Sequence, residues 1–378
     1  MSARNVLDYG ARPSSDKADS AINTAAIQAA IDAGPGDVVV PAGDYFHNGL
    51  FMQTGVRLFG EGALRSYLRT NDGVSHGALR LASLTTNHTT VENLTIRGNR
   101  YGGGGGGTAH GIHYVGTEDS NAIRAASKYG FTGDAWHRVK NVEIRAIDGT
   151  GLINWTRAAT FDDVMIEDTT GYGVWQQGSD GRYNVVDANW TGRSGFFGSG
   201  GNCLLQGCKA WYSGGRPITP GDDPSVPPEQ KFSPEADGYL IEAGRWRIIG
   251  CEAQDTSRHA MLLRGADYTQ VSGLLLDNIG NLYAAQGNGY PHGPVSAAVV
   301  VVRRTDPNHA LYNKLDFVLG QRSSATNIRH FINFGTSSSN NRADFTGNPA
   351  HILTERPVLR SSHETTFNNI AHFNNEIA

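Results

Sequence analysis

Apolar and polar positions along the chain follow a short pattern that returns at a constant interval. Six-residue copies such as 139–144 and 161–166 begin at residues 91, 139, 161, 183, 205, 248 and 271, and four consecutive copies are 22 residues apart. A repeat of this length predicts a solenoid, in which successive turns of chain stack because a single turn cannot bury its apolar face alone.

Two positions of the pattern are apolar in every copy and lie two residues apart. This period is typical of a strand with one buried face. Both columns of equivalent residues are therefore predicted to point into the core. The first column is Leu94, Val142, Val164, Val186, Cys208, Cys251 and Leu274, and the second is Ile96, Ile144, Ile166, Ala188, Ala210, Ala253 and Leu276.

The position just before the first column is Asn, Asp or Gly in six of the seven copies. These residue types tolerate left-handed backbone angles better than others, so the position predicts a tight corner between two strands. Its members are Asn93, Asn141, Asp163, Val185, Gly207, Gly250 and Gly273.

A further strand is predicted after each corner. Gly151, Gly173 and Gly195 are again 22 residues apart, and each introduces an apolar pair. Two or three short strands in each coil of about 22 residues predict an all-β parallel β-helix. Helical repeats of ~33 to 47 residues are too long for this period, and the leucine-asparagine signature of leucine-rich repeats is absent.

The start of the chain predicts a capping helix. Asn23 is a suitable N-cap, Ile27 and Ile31 share one face, and Gly34-Pro35 ends the helix. A solenoid needs its open end covered, and this helix is the predicted cover.

Three segments follow from these patterns. Residues 1–36 form the N-terminal cap, and residues 37–317 form the β-helix. A proline-rich loop at 213–235 is inserted into the β-helix. Residues 318–378 lose the period, and the prediction there is an irregular cap or a segment that packs against other subunits.

The N-terminal segment 5–11, the helix after it and the strand that opens at Asp37 together resemble the pectate-lyase superfamily of right-handed parallel β-helices. That superfamily includes polysaccharide lyases, polygalacturonase-like hydrolases, sugar epimerases and bacteriophage tailspikes. The resemblance covers roughly residues 5–317. It implies a right-handed β-helix and a polysaccharide ligand, but it does not fix the reaction, because one fold hosts many chemistries.

Charge and composition limit the partners. A net charge of −4 with only 18% charged residues gives no electrostatic basis for binding nucleic acid. The chain contains no run of 18 apolar residues, so membrane insertion is not predicted. The start shows no signal-peptide pattern, which favours a protein released by lysis over an exported one, although a start trimmed for expression would look the same.

Cysteine usage and metal chemistry add little. Cys208 and Cys251 share the inward column, where cysteine serves as a small apolar residue, so we expect packing and not a disulfide. No cofactor is predicted. A calcium ion that supports the structure or bridges to substrate stays open, but no residue pattern indicates one.

Candidate catalytic residues come from the 22-residue spacing. Residues one coil apart on an outward column are neighbours across one strand spacing of ~4.8 Å. Asp237 and His259 meet this test, and so do Glu242 and Arg264. These four residues form the predicted catalytic cluster. The alternative is a surface charge ladder, in which Glu242 pairs with Arg264 and His259 caps a turn.

The resemblance adds to this cluster. Asp237, Gly238 and His259 match motifs of the polygalacturonase-type hydrolases, whose aspartate pair on the intervening coil is missing here. Their three-carboxylate arrangement is therefore not implied.

Both kinds of glycan cleavage stay open. Hydrolysis needs two carboxyl groups, roughly 5 to 5.5 Å apart for retention or 6.5 to 9.5 Å for inversion. A lyase would need a base and a cation that holds the uronate carboxylate. The predicted substrate-binding residues are Arg258, Trp175, Asp222, Asp223 and Glu235.

One strand set is apolar on both faces. Its outward column must be covered by a loop, a second subunit or a stacked sugar. The column contains Ile153, Trp175, Phe197, Leu240 and Leu262.

Three functions fit these observations. The first is a trimeric bacteriophage tail component, located on the virion and acting at the cell exterior, which binds a host polysaccharide and in one version cleaves it. The second is a cellular, extracellular lyase or hydrolase that works on an acidic glycan as a monomer. The third is an adhesive β-helix without catalysis.

Overall fold

The computed structural model describes residues 2–100, 108–114, 135–215, 233, 235–280, 299–302, 310–319, 332–334, 338–346, 360–361 and 370–374. These residues form two compact units, with the boundary after Val186, inside the strand Arg182–Thr191. Parallel strands make up most of both units, which confirms the predicted all-β class.

In the first unit, two series of parallel strands stack coil on coil. Its strands are β1 (Arg4–Asn5), β2 (Gly36–Val40), β3 (Gly43–His47), β4 (Leu50–Met52), β5 (Val56–Gly60), β6 (Ser66–Thr70), β7 (Leu79–Leu81), β8 (Thr90–Arg97), β9 (Ile112–Tyr114), β10 (Arg138–Ile147), β11 (Leu152–Asn154), β12 (Thr160–Thr169) and β13 (Val174–Gln176), and β14 (Arg182–Thr191) crosses the boundary. One series runs β1, β2, β5, β8, β10, β12, with β3 and β6 also leading to β8. The other runs β4, β7, β9, β11, β13.

The second unit repeats this arrangement. Its strands are β15 (Phe196–Gly198), β16 (Leu204–Gln206), β17 (Lys209–Ser213), β18 (Tyr239–Ile241), β19 (Arg247–Ile249), β20 (Glu252–Gln254), β21 (Met261–Arg264), β22 (Gln270–Asp277), β23 (Val299–Val302), β24 (Ala310–Leu311), β25 (Lys314–Leu319), β26 (Ile332–Phe334), β27 (Ser338–Ser339), β28 (Arg342–Thr346), β29 (Arg360–Ser361) and β30 (Ile370–Asn374). The end of β14, β17, β20, β22, β25, β28 and β30 pair in parallel, as do β15, β18, β21, β23, β26 and β29.

The strands at the end of the chain differ from the irregular segment predicted for residues 318–378. Pairing continues from β25 through β28 to β30, with Phe317 opposite Phe345 and Phe345 opposite Phe373. The described strands of this segment therefore continue the parallel pairing, and an apolar residue recurs at the same register position although the surrounding sequence has become polar.

The predicted stacking of the inward columns is confirmed. Val142 lies opposite Leu94 on one side and Val164 on the other, in exact register. In the second unit Ala210 lies between Ala188 and Ala253. All fourteen residues of the two columns are at most 2% exposed. The core is therefore the inside of the coil.

The helix α1 spans Ser20–Asp32, after 3-10 turns at Val6–Tyr9 and Lys17–Asp19. The predicted N-cap at Asn23 is wrong, because the helix begins three residues earlier and Asn23 is buried within it. The Asn23 side chain accepts a hydrogen bond from the Arg12 amide at 2.7 Å and donates one to the Arg12 carbonyl at 3.1 Å. It ties the N-terminal segment to the helix.

The helix has the predicted capping role. Ile27 and Ile31 are fully buried. Gln28 bonds to both backbone groups of Phe51, accepting from its amide at 2.8 Å and donating to its carbonyl at 3.0 Å. Phe51 lies in β4, the first strand of its series, so Gln28 satisfies an edge that would otherwise be open to pairing with another chain.

Left-handed corners are more frequent than predicted. The predicted column is left-handed in every copy, with φ between 48° and 65°. Two further corners recur in the coils and were missed, because Ala, Trp and Tyr rarely adopt these angles. One contains Ala146, Asp168, Trp190 and Tyr212, and the other contains Trp136, Ala158, Asp180 and Asn202.

Val185 provides a test of corner strain. It is β-branched, has φ of 51° and is 55% exposed. We expect Val185→Asn to stabilise the protein by about 1 kcal/mol, since asparagine occupies the same corner with less strain. Urea denaturation measures the change. Val186→Asn is the matched control and should destabilise, because Val186 is fully buried. A loss of stability in Val185→Asn would contradict the strain argument.

Candidate functional site

The predicted cluster lies at the two ends of β18 and β21 in the second unit. These strands pair with Tyr239 opposite Met261, so residues 22 apart in sequence are neighbours. The adjacency predicted for Asp237 with His259 is therefore confirmed, as the His259 amide donates to Asp237 Oδ1 at 3.2 Å. The roles predicted for these side chains stay predictions.

Asp237 lies at the start of β18 and is fully buried. Arg258 binds it with both arms of the guanidinium, through Nε to Oδ1 at 2.7 Å and through Nη2 to Oδ2 at 2.6 Å. A bidentate pair of this kind is strong and geometrically fixed. Ser194 also contacts the segment, since its hydroxyl accepts from the Asp237 amide at 3.2 Å. The carboxylate of Asp237 therefore ties the segment before β18 to the segment before β21.

Glu242, just after β18, and Arg264, the last residue of β21, form the second predicted pair. Arg264 Nε donates to Glu242 Oε1 at 2.6 Å, and Glu242 is only 7% exposed. Arg264 Nη2 also reaches Glu235 Oε1 at 3.4 Å. One guanidinium therefore binds two carboxylates.

The charges in this cluster shift the pKa of the Arg264 guanidinium. Burial alone would lower the pKa of Arg264, but the charges of Glu242 and then Glu235 outweigh burial, so the pKa is raised above its ordinary value. Arg264 is therefore a permanent cation between two acids.

Arg193 is a member of the cluster that sequence reasoning missed. Its Nη1 lies 3.5 Å from Glu235 Oε2, and its side chain is 42% exposed. Glu235 thus contacts two guanidinium groups, those of Arg193 and Arg264. Arg193 comes shortly before β15, as Asp237 comes shortly before β18, so comparison of the preceding coil would have found it.

The arrangement fits a carboxylate pair. Two oxygens that contact one guanidinium nitrogen lie within roughly 6 Å of each other. This upper limit is compatible with the roughly 5 to 5.5 Å that separates the two carboxyl groups in retaining glycosidases. Glu242 is buried and held by the shorter bond, whereas Glu235 is more exposed and has longer contacts.

Of the three remaining predicted substrate-binding residues, the structure describes only Trp175. Trp175 belongs to the first unit, where its ring meets Trp155 edge-on at 5.3 Å and Tyr172 at 6.1 Å. Asp222 and Asp223 lie outside the described residues, as does most of the loop predicted at 213–235.

The outward apolar column is largely covered by the chain itself. Ile153 is 1% exposed and packs with Trp155 and Leu84 in the first unit. In the second unit Leu240 is fully buried and packs with Leu262. Only Trp175 and Phe197 of this column keep partial exposure. At the buried positions no second subunit is needed as a cover.

Metal and membrane sites receive no support from the part of the chain that the structure describes. No three His, Cys, Asp or Glu side chains there are arranged to hold a metal ion. Its helices are too short or too polar to cross a membrane. Cys203, Cys208 and Cys251 are buried, and none of them belongs to a disulfide.

A family model confirms the resemblance noted from the sequence. Residues 3–197, just over half of the chain, match the model described as rhamnogalacturonase A/epimerase, pectate lyase-like. The chain belongs to this family. The match ends before Asp237, so the membership of the rhamnogalacturonase A/epimerase family says nothing about the candidate cluster.

Solved structures with the same fold extend the family comparison. The enzymatically active domain of tailspike protein 2 from bacteriophage CBA120 has a TM-score of 0.67 and 16% identity, over 92% of this chain and 48% of the tailspike chain. The A-module of a mannuronan C-5 epimerase from Azotobacter vinelandii has a TM-score of 0.59 and 17% identity, over 99% and 98%. An α-1,3-glucanase catalytic unit from Streptomyces thermodiastaticus has a TM-score of 0.55 and 13% identity, over 99% and 69%.

The coverage and identity of these matches limit what they show about this chain. The chain spans about half of the tailspike it matches. Identities this low show a shared β-helix fold and no more. A comparison with curated proteins finds no significant match.

Arg258 tests whether Asp237 has a structural role. We expect Arg258→Met to destabilise the protein by about 3–5 kcal/mol, because it leaves a fully buried carboxylate without its cation. Lys17→Met is the matched control, since Lys17 pairs with Asp72 at an exposed site and should lose less than about 1 kcal/mol. Equal stability of the two variants in urea denaturation would contradict the assignment.

Proposed function

We propose that the protein binds a cell-surface polysaccharide and cleaves it by glycoside hydrolysis at Glu235, Glu242 and Arg264. The observation that carries this proposal is the contact of both carboxylates with one guanidinium. Two carboxyl groups that share one guanidinium lie close enough together for hydrolysis with retention, which requires a pair roughly 5 to 5.5 Å apart. The family description supports a polysaccharide as the ligand.

The two acids suit different roles. Glu242 is buried and fixed by Arg264, which suits the nucleophile that bonds to the anomeric carbon. Glu235 is more exposed and suits the group that gives its proton to the departing glycosidic oxygen. In the second step Glu235 takes a proton from water, whose oxygen displaces Glu242 from the sugar. Arg264 holds both side chains in place.

We further propose that the protein is a homotrimer in the tail of a bacteriophage and acts at the cell exterior. The similarity in fold to a bacteriophage tailspike supports this location. A cellular lyase or hydrolase that works as a monomer on an acidic glycan is the alternative origin, and the epimerase and glucanase among the similar folds are compatible with it.

A non-catalytic adhesive is the second candidate. It is favoured by the charge balance of the cluster, since Asp237, Glu242 and Glu235 each contact an arginine. Carboxylates that are all paired could serve only to stabilise adjoining coils. Such a protein would bind glycan with no product release.

Glu242→Gln tests catalysis. We expect at least a 100-fold lower rate of reducing-end release across a panel of bacterial surface glycans, because the nucleophile is lost. Glu252→Gln is the matched control, since Glu252 forms an ion pair with Lys209 at 3.1 Å on β20, away from the cluster. The control should keep its rate.

The same assay separates the alternatives. Full activity in Glu242→Gln would overturn the catalytic assignment. Products with the absorbance of an unsaturated uronate would replace hydrolysis with elimination, and binding without any product would select the adhesive.

The assembly is tested by mass. We expect light scattering at micromolar concentration to give three times the chain mass of 40.6 kDa. A single-chain mass would remove the trimer and favour the cellular origin.

A further inference from the structure

The outward face of the β4, β7, β9 and β11 series in the first unit carries an unusual group of polar side chains. Phe51, Arg80, His113 and Ile153 lie opposite one another on successive strands. Arg80 and His113 are thus neighbours across one strand spacing of ~4.8 Å. Both keep partial exposure to solvent.

Arg80 differs from four other arginines of this unit, which all form ion pairs. Arg57, Arg69, Arg100 and Arg145 each pair with a carboxylate. Among the described residues no acid pairs with Arg80, whose guanidinium lies 5.3 Å from the centre of the Phe51 ring. Its Nε is buried without an acceptor.

Two further nitrogens, one on His113 beside Arg80 and one on Trp155 beside His113, also have no protein partner. The Nδ1 atom of His113 and the Nε1 atom of Trp155 are buried and unpaired. The two rings meet edge-on, with centroids 6.4 Å apart, and Trp155 is 6% exposed. Buried polar groups without partners are rare, and a bound ion is one explanation for them.

The histidines around this group add no negative charge. His110 stands edge-on to His113 at 5.0 Å, and its Nδ1 accepts from the Thr150 amide at 3.0 Å, so its proton lies on Nε2. Burial, then the charge of Arg80, lowers the pKa of His110 to about 4. Burial, then the charges of His110, Arg80 and His76, holds the pKa of His113 well below its usual range. Burial is the larger cause of both shifts, and the neighbouring charges that add to it are positive.

Close packing fixes the position of His113. A Cβ at Gly77 would lie 2.6 Å from the Cβ of His113, so only glycine fits beneath the histidine. The site is therefore built into the coil.

We propose that Arg80, His113 and Trp155 form a binding site for the carboxylate group of an acidic sugar residue. A guanidinium fork with adjacent N–H donors matches the planar, bidentate geometry of a carboxylate. A cation is unsuited to the site, because Arg80 would repel it. The partly exposed ring of Trp175, edge-on to Trp155, provides an apolar face for the sugar ring. The proposal rests on the proposed function only in taking the ligand to be a glycan.

The test measures binding without turnover. Tryptophan fluorescence and calorimetry follow the titration of the full chain with glucuronate, its methyl ester and inorganic phosphate. Glucuronate should bind at least 10-fold more tightly than the ester, since the ester lacks the charge. Arg80→Met should lose at least 10-fold in glucuronate affinity. The affinity of Arg80→Lys should lie between those of the unchanged protein and Arg80→Met, because lysine keeps the charge but not the guanidinium fork.

Arg138→Met is the matched control, since it removes an exposed arginine from the same unit and should bind as the unchanged protein does. Thermal unfolding confirms that each variant is folded. Equal binding of acid and ester, or unchanged binding by both Arg80 variants, would overturn the site. Phosphate binding as tight as that of glucuronate would overturn the sugar as the source of the anion. Binding is measured without turnover, so glucuronate affinity can be lost in Arg80→Met while product release persists, and failure of the cleavage proposal is distinguishable from failure here.

Discussion

The parallel pairing of each coil with the next, in register, is the constraint on which the structure depends. Inward residues such as Val142 and Val164 lie directly opposite each other and exclude water from the inside of the coil. Because register is fixed there, it is fixed on the outside as well. Outward residues one coil apart become neighbours whatever their chemistry, and ion pairs such as Glu242 with Arg264 follow from that.

The corners between strands carry the cost of this arrangement. Three left-handed positions recur per coil, and many are occupied by residues other than glycine or asparagine. Left-handed angles at such residues cost about 1–3 kcal/mol each, so the buried columns and the inter-coil hydrogen bonds must offset them. Strain of this kind is tolerated where neighbouring coils hold the backbone on both sides.

Charge is balanced differently at the Glu242 cluster of the second unit and at the Arg80 group of the first. In the second, Asp237, Glu235 and Glu242 all contact arginines, so the acids there are balanced. In the first, Arg80 has no acid beside it among the described residues, and the neighbouring groups are histidines and a tryptophan. The paired arginines of the second unit suit carboxylates that belong to the protein. The Arg80 group of the first unit suits a carboxylate that arrives with a ligand.

The sequence by itself determined the period, the inward columns, the predicted corner and the adjacency of Asp237 with His259, because a constant repeat converts sequence distance into contact. It did not determine the start of the helix, since the partner of Asn23 is a distant backbone group at Arg12. Nor did it determine the corners at Trp190 and Tyr212, the contact of Arg193 with Glu235, or the lack of an acid beside Arg80 among the described residues. These features depend on which side chains contact each other between coils. The repeat predicts the spacing of the coils but not those contacts, which only the tertiary structure decides.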